Sequence, residues 1–143
     1  MEIINLPDEV KIKIRDDIVL YHTDNTKETI KEPDPRELKN YECERFVEKM
    51  GYAWSEWKSL CVLYSEGNGP TWRRMATEMD MEASEAKLER LAKASEEYHK
   101  YLRGWRTAEK LEKDYYCLYM KWQNHYKTKL RLMEIFARHG KAY

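Results

Sequence analysis

A chain of 143 residues, 42% hydrophobic and 13% aromatic, is long enough to bury one sizeable core and too apolar to stay disordered. Lysine plus arginine equal aspartate plus glutamate at 26 each, which excludes an overall electrostatic pull toward nucleic acid or membrane and leaves only local charge to read. Charged residues make up 36% of the chain, a share that suits long solvated helices in one mainly α domain, a helical bundle.

Residues 1–34 read as an N-terminal arm unlike the rest. Val10, Ile12 and Ile14 alternate with Lys11, Lys13 and Arg15, the period of a strand with one face buried. Asp16-Asp17 turns the chain into Ile18-Val19-Leu20-Tyr21, and Asp24-Asn25 turns it again before Thr29-Ile30, which makes a short β-hairpin or meander. A helix starting at Pro7, with Asp8 and Glu9 in its first turn, is the competing reading, and both stay open. Pro33-Asp34-Pro35 ends the arm.

Residues 35–103 read as a helical core. Asp34 caps a first helix with Pro35 at its first position. Leu38, Tyr41, Phe46, Val47 and Met50 face inward, and Gly51 stops it. A second helix over residues 54–65 puts Trp54, Trp57, Leu60, Cys61 and Tyr64 on one face. Glu66-Gly67-Asn68-Gly69-Pro70 is a turn by composition. A short third helix follows over residues 71–79, with Trp72, Met75, Ala76 and Met79 inward. Asp80-Met81-Glu82 then breaks the chain, and a fourth helix runs to Arg103. Gly104 separates it from a long fifth helix over residues 105–139.

The stretch Tyr64-Ser65-Glu66-Gly67-Asn68-Gly69-Pro70-Thr71-Trp72-Arg73-Arg74-Met75-Ala76, with Trp54 upstream, resembles a Myb/SANT repeat. Extended over residues 54–91 it resembles the helix-turn-helix of phage small terminase subunits: an aromatic helix, a Gly-Asn turn, a short Ala-containing helix and a longer one. The resemblance implies a helix-turn-helix-like core that contacts DNA and, in the terminase case, helical segments that assemble subunits. The would-be recognition helix carries Glu82, Glu85 and Glu89 against Lys87, Arg90 and Lys93, and carboxylates there repel phosphates. Arg73 and Arg74 on the short helix are the better phosphate contacts.

The fifth helix has no glycine or proline between Gly104 and Gly140. Straight, it is about 52 Å long, against a radius of gyration of about 14–15 Å for a compact chain of this size. Tyr115, Leu118, Tyr119, Trp122, Tyr126, Met133 and Phe136 lie on two adjacent apolar stripes, wider than a two-stranded coiled-coil seam. Such a face requires cover from the chain's own core or from another subunit. From Tyr115 onward six cations face one acid, Glu134, for a net charge of +5 that residues 1–114 balance. Lys121, Lys127, Lys129, Arg131 and Arg138 are therefore the candidate nucleic-acid contacts of the tail.

Gly67-Asn68-Gly69 lacks the Lys-Ser/Thr of a P-loop, and no Ser-His-Asp or Cys-His order stands out. Cys43, Cys61 and Cys117 form no CxxC pair and no ligand spacing with His22, His99, His125 or His139. The expectation is a protein that is not an enzyme and takes no cofactor or metal. The N-terminus lacks signal-peptide features and the longest apolar run, Tyr115 to Met120, is far short of a membrane span, so the expected place is the cytoplasm, away from membrane. Two functions follow. One is a small nucleic-acid-binding accessory protein, of the phage DNA-packaging or regulatory kind, that meets DNA or single-stranded nucleic acid and forms a homo-oligomer through its C-terminal helix. The other is a phage-type protein-interaction module or inhibitor with no nucleic-acid role, suggested by zero net charge, an acidic front and many Trp and Tyr residues.

Overall fold

The computed structural model describes residue 6 and residues 10–79 and 82–139. It is mainly α, with a small antiparallel sheet at its N-terminal end and a long C-terminal helix. The sheet is a meander of β1 (Lys13–Ile14), β2 (Asp17–Tyr21) and β3 (Lys27–Lys31) in that spatial order. Register pairs Ile14 with Asp17 and Ile18 with Ile30. The first turn is Arg15-Asp16, with Arg15 at φ 57°. The second holds Asn25 at φ 69° while Asp24 accepts hydrogen bonds from the Thr26 backbone N–H and hydroxyl, an Asx turn. Val10, Ile12, Ile18, Val19 and Leu20 are buried, but Ile14, expected on the same buried face as Val10 and Ile12, is 53% exposed at the first turn. The alternative helix start at Pro7 lies outside the described residues.

Asp34 and Pro35 do not open the first helix as expected: Pro35–Glu37 is a single 3-10 turn that Asp34 caps by accepting from the Arg36 N–H at 3.0 Å, and the helix begins only at Asn40. Three helices follow: α1 (Asn40–Glu78), α2 (Glu85–Lys93) and α3 (Glu96–His139). At 39 and 44 residues, α1 and α3 are about 58 and 66 Å long. They run antiparallel. Asn40 contacts Met133, Trp54 bonds Glu112, Tyr101 bonds the Tyr64 carbonyl and Arg74 pairs with Glu97, so partners descend along α3 as they ascend α1.

Three further expected boundaries are corrected. Gly51 does not stop a helix, and residues 66–70 are not a turn: α1 passes through Gly51, Gly67, Gly69 and Pro70 without a break. The stretch carrying the terminase and Myb resemblance thus lies largely within one helix. Packing outweighs the local preference. Tyr98 donates to the Asn68 side-chain oxygen, Tyr101 donates to the Tyr64 carbonyl just before Pro70, and Trp72 and Met75 are buried beyond it. A glycine costs a helix interior only about 1 kcal/mol and a proline about 3 kcal/mol, amounts that a few buried aromatics offset. Gly104 does not separate helices either. The break falls at Ala94-Ser95, where the Ser95 hydroxyl caps α3 by accepting from the Tyr98 N–H at 3.2 Å. Gly104 sits where the Tyr64 ring meets α3, and a Cβ there would lie 2.5 Å from the Tyr64 hydroxyl.

The meander lies along one side of the α1–α3 hairpin and is bonded to both helices. Buried Tyr115 donates to the Val19 carbonyl at 2.7 Å and accepts from the Tyr21 N–H at 2.8 Å. The Trp57 indole N–H donates to the Tyr21 carbonyl at 2.8 Å, and Glu56 accepts from the Thr23 N–H at 2.6 Å. Fully buried Trp57, Tyr64, Tyr115 and Trp122 form the spine of one continuous core shared by sheet and helices.

Candidate nucleic-acid interface

The expected contact residues fall into separate settings. Tyr115, Leu118 and Trp122, expected on an intersubunit face, are buried inside the chain under the meander and α1. Tyr119 is half-buried, stacked on Trp54 with ring centroids 5.5 Å apart, and Tyr126 is half-buried beside α1. Only beyond Tyr126 does the cover thin: Met133 lies exposed beside Asn40, where α1 begins, and Phe136 is half-buried. The wide apolar face of the tail is mostly the chain's own core.

The expected cations are spread as widely. Arg73 lies with its guanidinium 5.3 Å from the Trp72 ring centre, and Arg74 is held by Glu78 at 2.9 Å and Glu97 at 2.8 Å. Both sit at the C-terminal end of α1, about 50 Å from the end of the hairpin where Asn40 meets Met133. Lys129 turns inward to the Leu38 carbonyl at 2.6 Å, and Arg138 reaches Glu134 at 3.4 Å. Lys127 and Arg131 are exposed and form no ion pair among the described residues. Arg73 and Arg74 therefore do not join the tail cations in one patch.

A single arrangement does connect the two ends. On α3 the positions 103, 106, 110, 113, 117, 121, 124, 128, 131, 135 and 138 recur at intervals of three and four, so they share one face of the helix. Each is exposed. Seven are cations (Arg103, Arg106, Lys110, Lys113, Lys121, Arg131 and Arg138), the others are Cys117, Asn124, Thr128 and Ile135, and none is acidic. The ridge runs for about 52 Å on the side of α3 opposite buried Tyr115 and Trp122. Glu109, Asp114 and Glu134 lie to either side of it.

Midway, β1 widens the ridge. Lys11 and Lys13 lie across from Lys110 and Lys121, and with Asp114 and Cys117 they line an open groove of about 440 Å³. The geometry is fixed by two contacts. Lys110 donates to the Val10 carbonyl, and Glu32, on the chain just after β3, accepts from Lys13 at 2.8 Å and from Lys121 at 2.7 Å. Burial alone would raise the Glu32 pKa, but the two lysines outweigh it and hold the carboxyl below the usual range. Hydrogen bonding to Glu32 likewise raises the Lys13 pKa. Four lysines against Asp114 and Glu32 leave the groove positive.

Arg103, Arg106, Lys110 and Lys113 escape a reading that sums charge from Tyr115 onward. The signal that exposes them is the three- and four-residue spacing of cations without an acid in the stripe. Among the described residues no group of three or more His, Cys, Asp or Glu is placed to hold a metal ion, and no helix is long and apolar enough to cross a membrane. No protein-family model, curated protein or solved structure matches the chain.

Proposed function

We propose that this protein is a small non-enzymatic nucleic-acid-binding accessory protein that grips phosphate backbone along the outer face of α3. The observation that carries the reading is the acid-free ridge of seven exposed cations, flanked by Lys11 and Lys13 of the meander. Backbone phosphates reward a line of exposed ammonium and guanidinium groups through counterion release, without base-specific contacts. The aromatics suited to stacking on bases lie elsewhere: Tyr115 and Trp122 are buried, and Tyr119 packs on Trp54. That arrangement favours double-stranded over single-stranded nucleic acid, since strand-tracking grooves set aromatics among their cations. Mobility shift at low salt with a duplex and a single strand of equal length tests it. The expected result is binding to duplex at least as tight as to the single strand; absence of a shift with either defeats the proposal.

A protein-interaction module remains the second reading, because α1 leaves Tyr41, Tyr52, Val62 and Leu63 between 49% and 74% exposed on its outer surface. Exposed apolar side chains in such number serve protein contacts. A protein partner whose binding is lost in Tyr52→Ala and Leu63→Ala variants, with no duplex binding, would favour that reading.

A further inference from the structure

We infer that two copies of this chain pair back to back, antiparallel along α3, with the basic end of each helix seated over the acidic aromatic groove of the other. The inference uses the side of the hairpin away from the meander and shares a single cation, Arg131, with the ridge proposed to meet nucleic acid.

The groove is formed where α1 and α3 leave their shared edge uncovered. Lys49 and Glu56 of α1 reach the meander, and helical spacing turns Val47, Gly51, Trp54 and Lys58 toward the other side. There Gly51 admits the Tyr119 ring, to which an added Cβ would approach within 3.0 Å. Trp54 packs between Tyr116 at 5.0 Å and Tyr119 at 5.5 Å. The depression measures about 340 Å³ and is lined chiefly by apolar atoms.

Its charge is negative. Trp54 donates to Glu112 at 2.9 Å. Burial, then the Glu112 and Glu109 carboxylates, pushes the nearby Cys61 thiol up to about 11. Burial, then Glu44 and Glu48, raises the Tyr126 phenol. Glu48 lines the depression, Glu112 bonds its Trp54 and Glu44 acts on Tyr126, with Lys58 over Trp54 as a counterweight.

The complementary surface lies on the same side of α3, about 20 Å further along. Leu130 is 42% and Met133 54% exposed there, beside Lys127 and Arg131. A two-fold axis near Tyr126 sets Tyr119 opposite Met133 of the second copy, and brings Lys127 and Arg131 over Glu44 and Glu48. Each copy gives a basic apolar end and receives one, so the contact closes at two subunits.

Sedimentation equilibrium of the full chain, run against its 17.4 kDa monomer mass, tests the pairing. The expected species is a dimer that weakens with salt. Joint Glu44→Lys and Glu48→Lys substitution, which leaves the basic ridge intact, should give a monomer with unchanged helical circular dichroism and undiminished duplex binding. Adding Lys127→Glu and Arg131→Glu to that variant should restore the dimer. A monomer throughout, a dimer indifferent to both charge reversals, or an open series of larger species would overturn the inference.

Discussion

At the scale of single residues, the meander is held to the helices by a few buried polar contacts, and two of them make sharp predictions. Tyr115 satisfies two backbone groups of β2 at once, and burial pushes its phenol well above the ordinary range. Tyr115→Phe leaves the Val19 carbonyl and the Tyr21 N–H without that partner. The expected loss is about 1–3 kcal/mol by urea unfolding, with little change in volume. Glu32 gives a pH-dependent contribution. Its folded pKa is depressed, so its stabilisation is present in full above the ordinary glutamate pKa of about 4.3 and is lost as pH falls through the lower folded value. Lys13 and Lys121 are 45% and 44% exposed, and solvent screening limits the clamp to about 1 kcal/mol. Thermal melts at pH 7 and pH 3 should show that Glu32→Gln destabilises at pH 7 and loses part of the acid sensitivity of the parent chain. Equal acid sensitivity in both proteins would exclude the clamp.

At the scale of elements, α1 persists through a sequence that reads locally as a turn. Pro70 removes one intrahelical donor and crowds the preceding turn, yet the helix continues because Tyr64, Trp72, Tyr98 and Tyr101 pack around that segment. Pro70→Ala should therefore stabilise the chain by about 1–3 kcal/mol. A lower melting temperature for that variant would mean that the proline itself shapes the native path. In this region local sequence preference and native structure diverge. The meander was legible in part: Ile18-Val19-Leu20-Tyr21 and Asp24-Asn25 marked β2 and its turn, whereas of Val10, Ile12 and Ile14 only Ile14 joins a strand, and it is exposed. The helical character and the long C-terminal helix were legible from periodicity. Residues 66–70 and Gly104 were misleading for one reason: glycine and proline state a local preference, whereas the partners that override it lie 30 or more residues away. Tyr101 beneath Tyr64 is not visible to any local window. The candidate site was legible only in part. Lys121, Arg131 and Arg138 stood out in a basic tail, but Lys11, Lys13 and the four cations between residues 103 and 113 needed the helix to run unbroken and the meander to fold back beside it.

For the whole molecule, zero net charge conceals segregation. The outer face of α3 is cationic for most of its length, while the opposite edge of the hairpin carries Glu44, Glu48 and Glu112 around half-buried aromatic rings. A rigid pair of helices about 60 Å long keeps these surfaces apart and prevents them from neutralising each other. Duplex-binding affinity as a function of salt tests whether the α3 ridge is the proposed phosphate-binding surface. The parent chain should show a log–log slope of about −4 to −6, reflecting most of the seven ridge cations. Each of Arg103→Ala, Arg106→Ala and Lys113→Ala should flatten the slope by about one unit without altering sequence preference. A slope near zero, or one unchanged in the triple variant, would contradict the account.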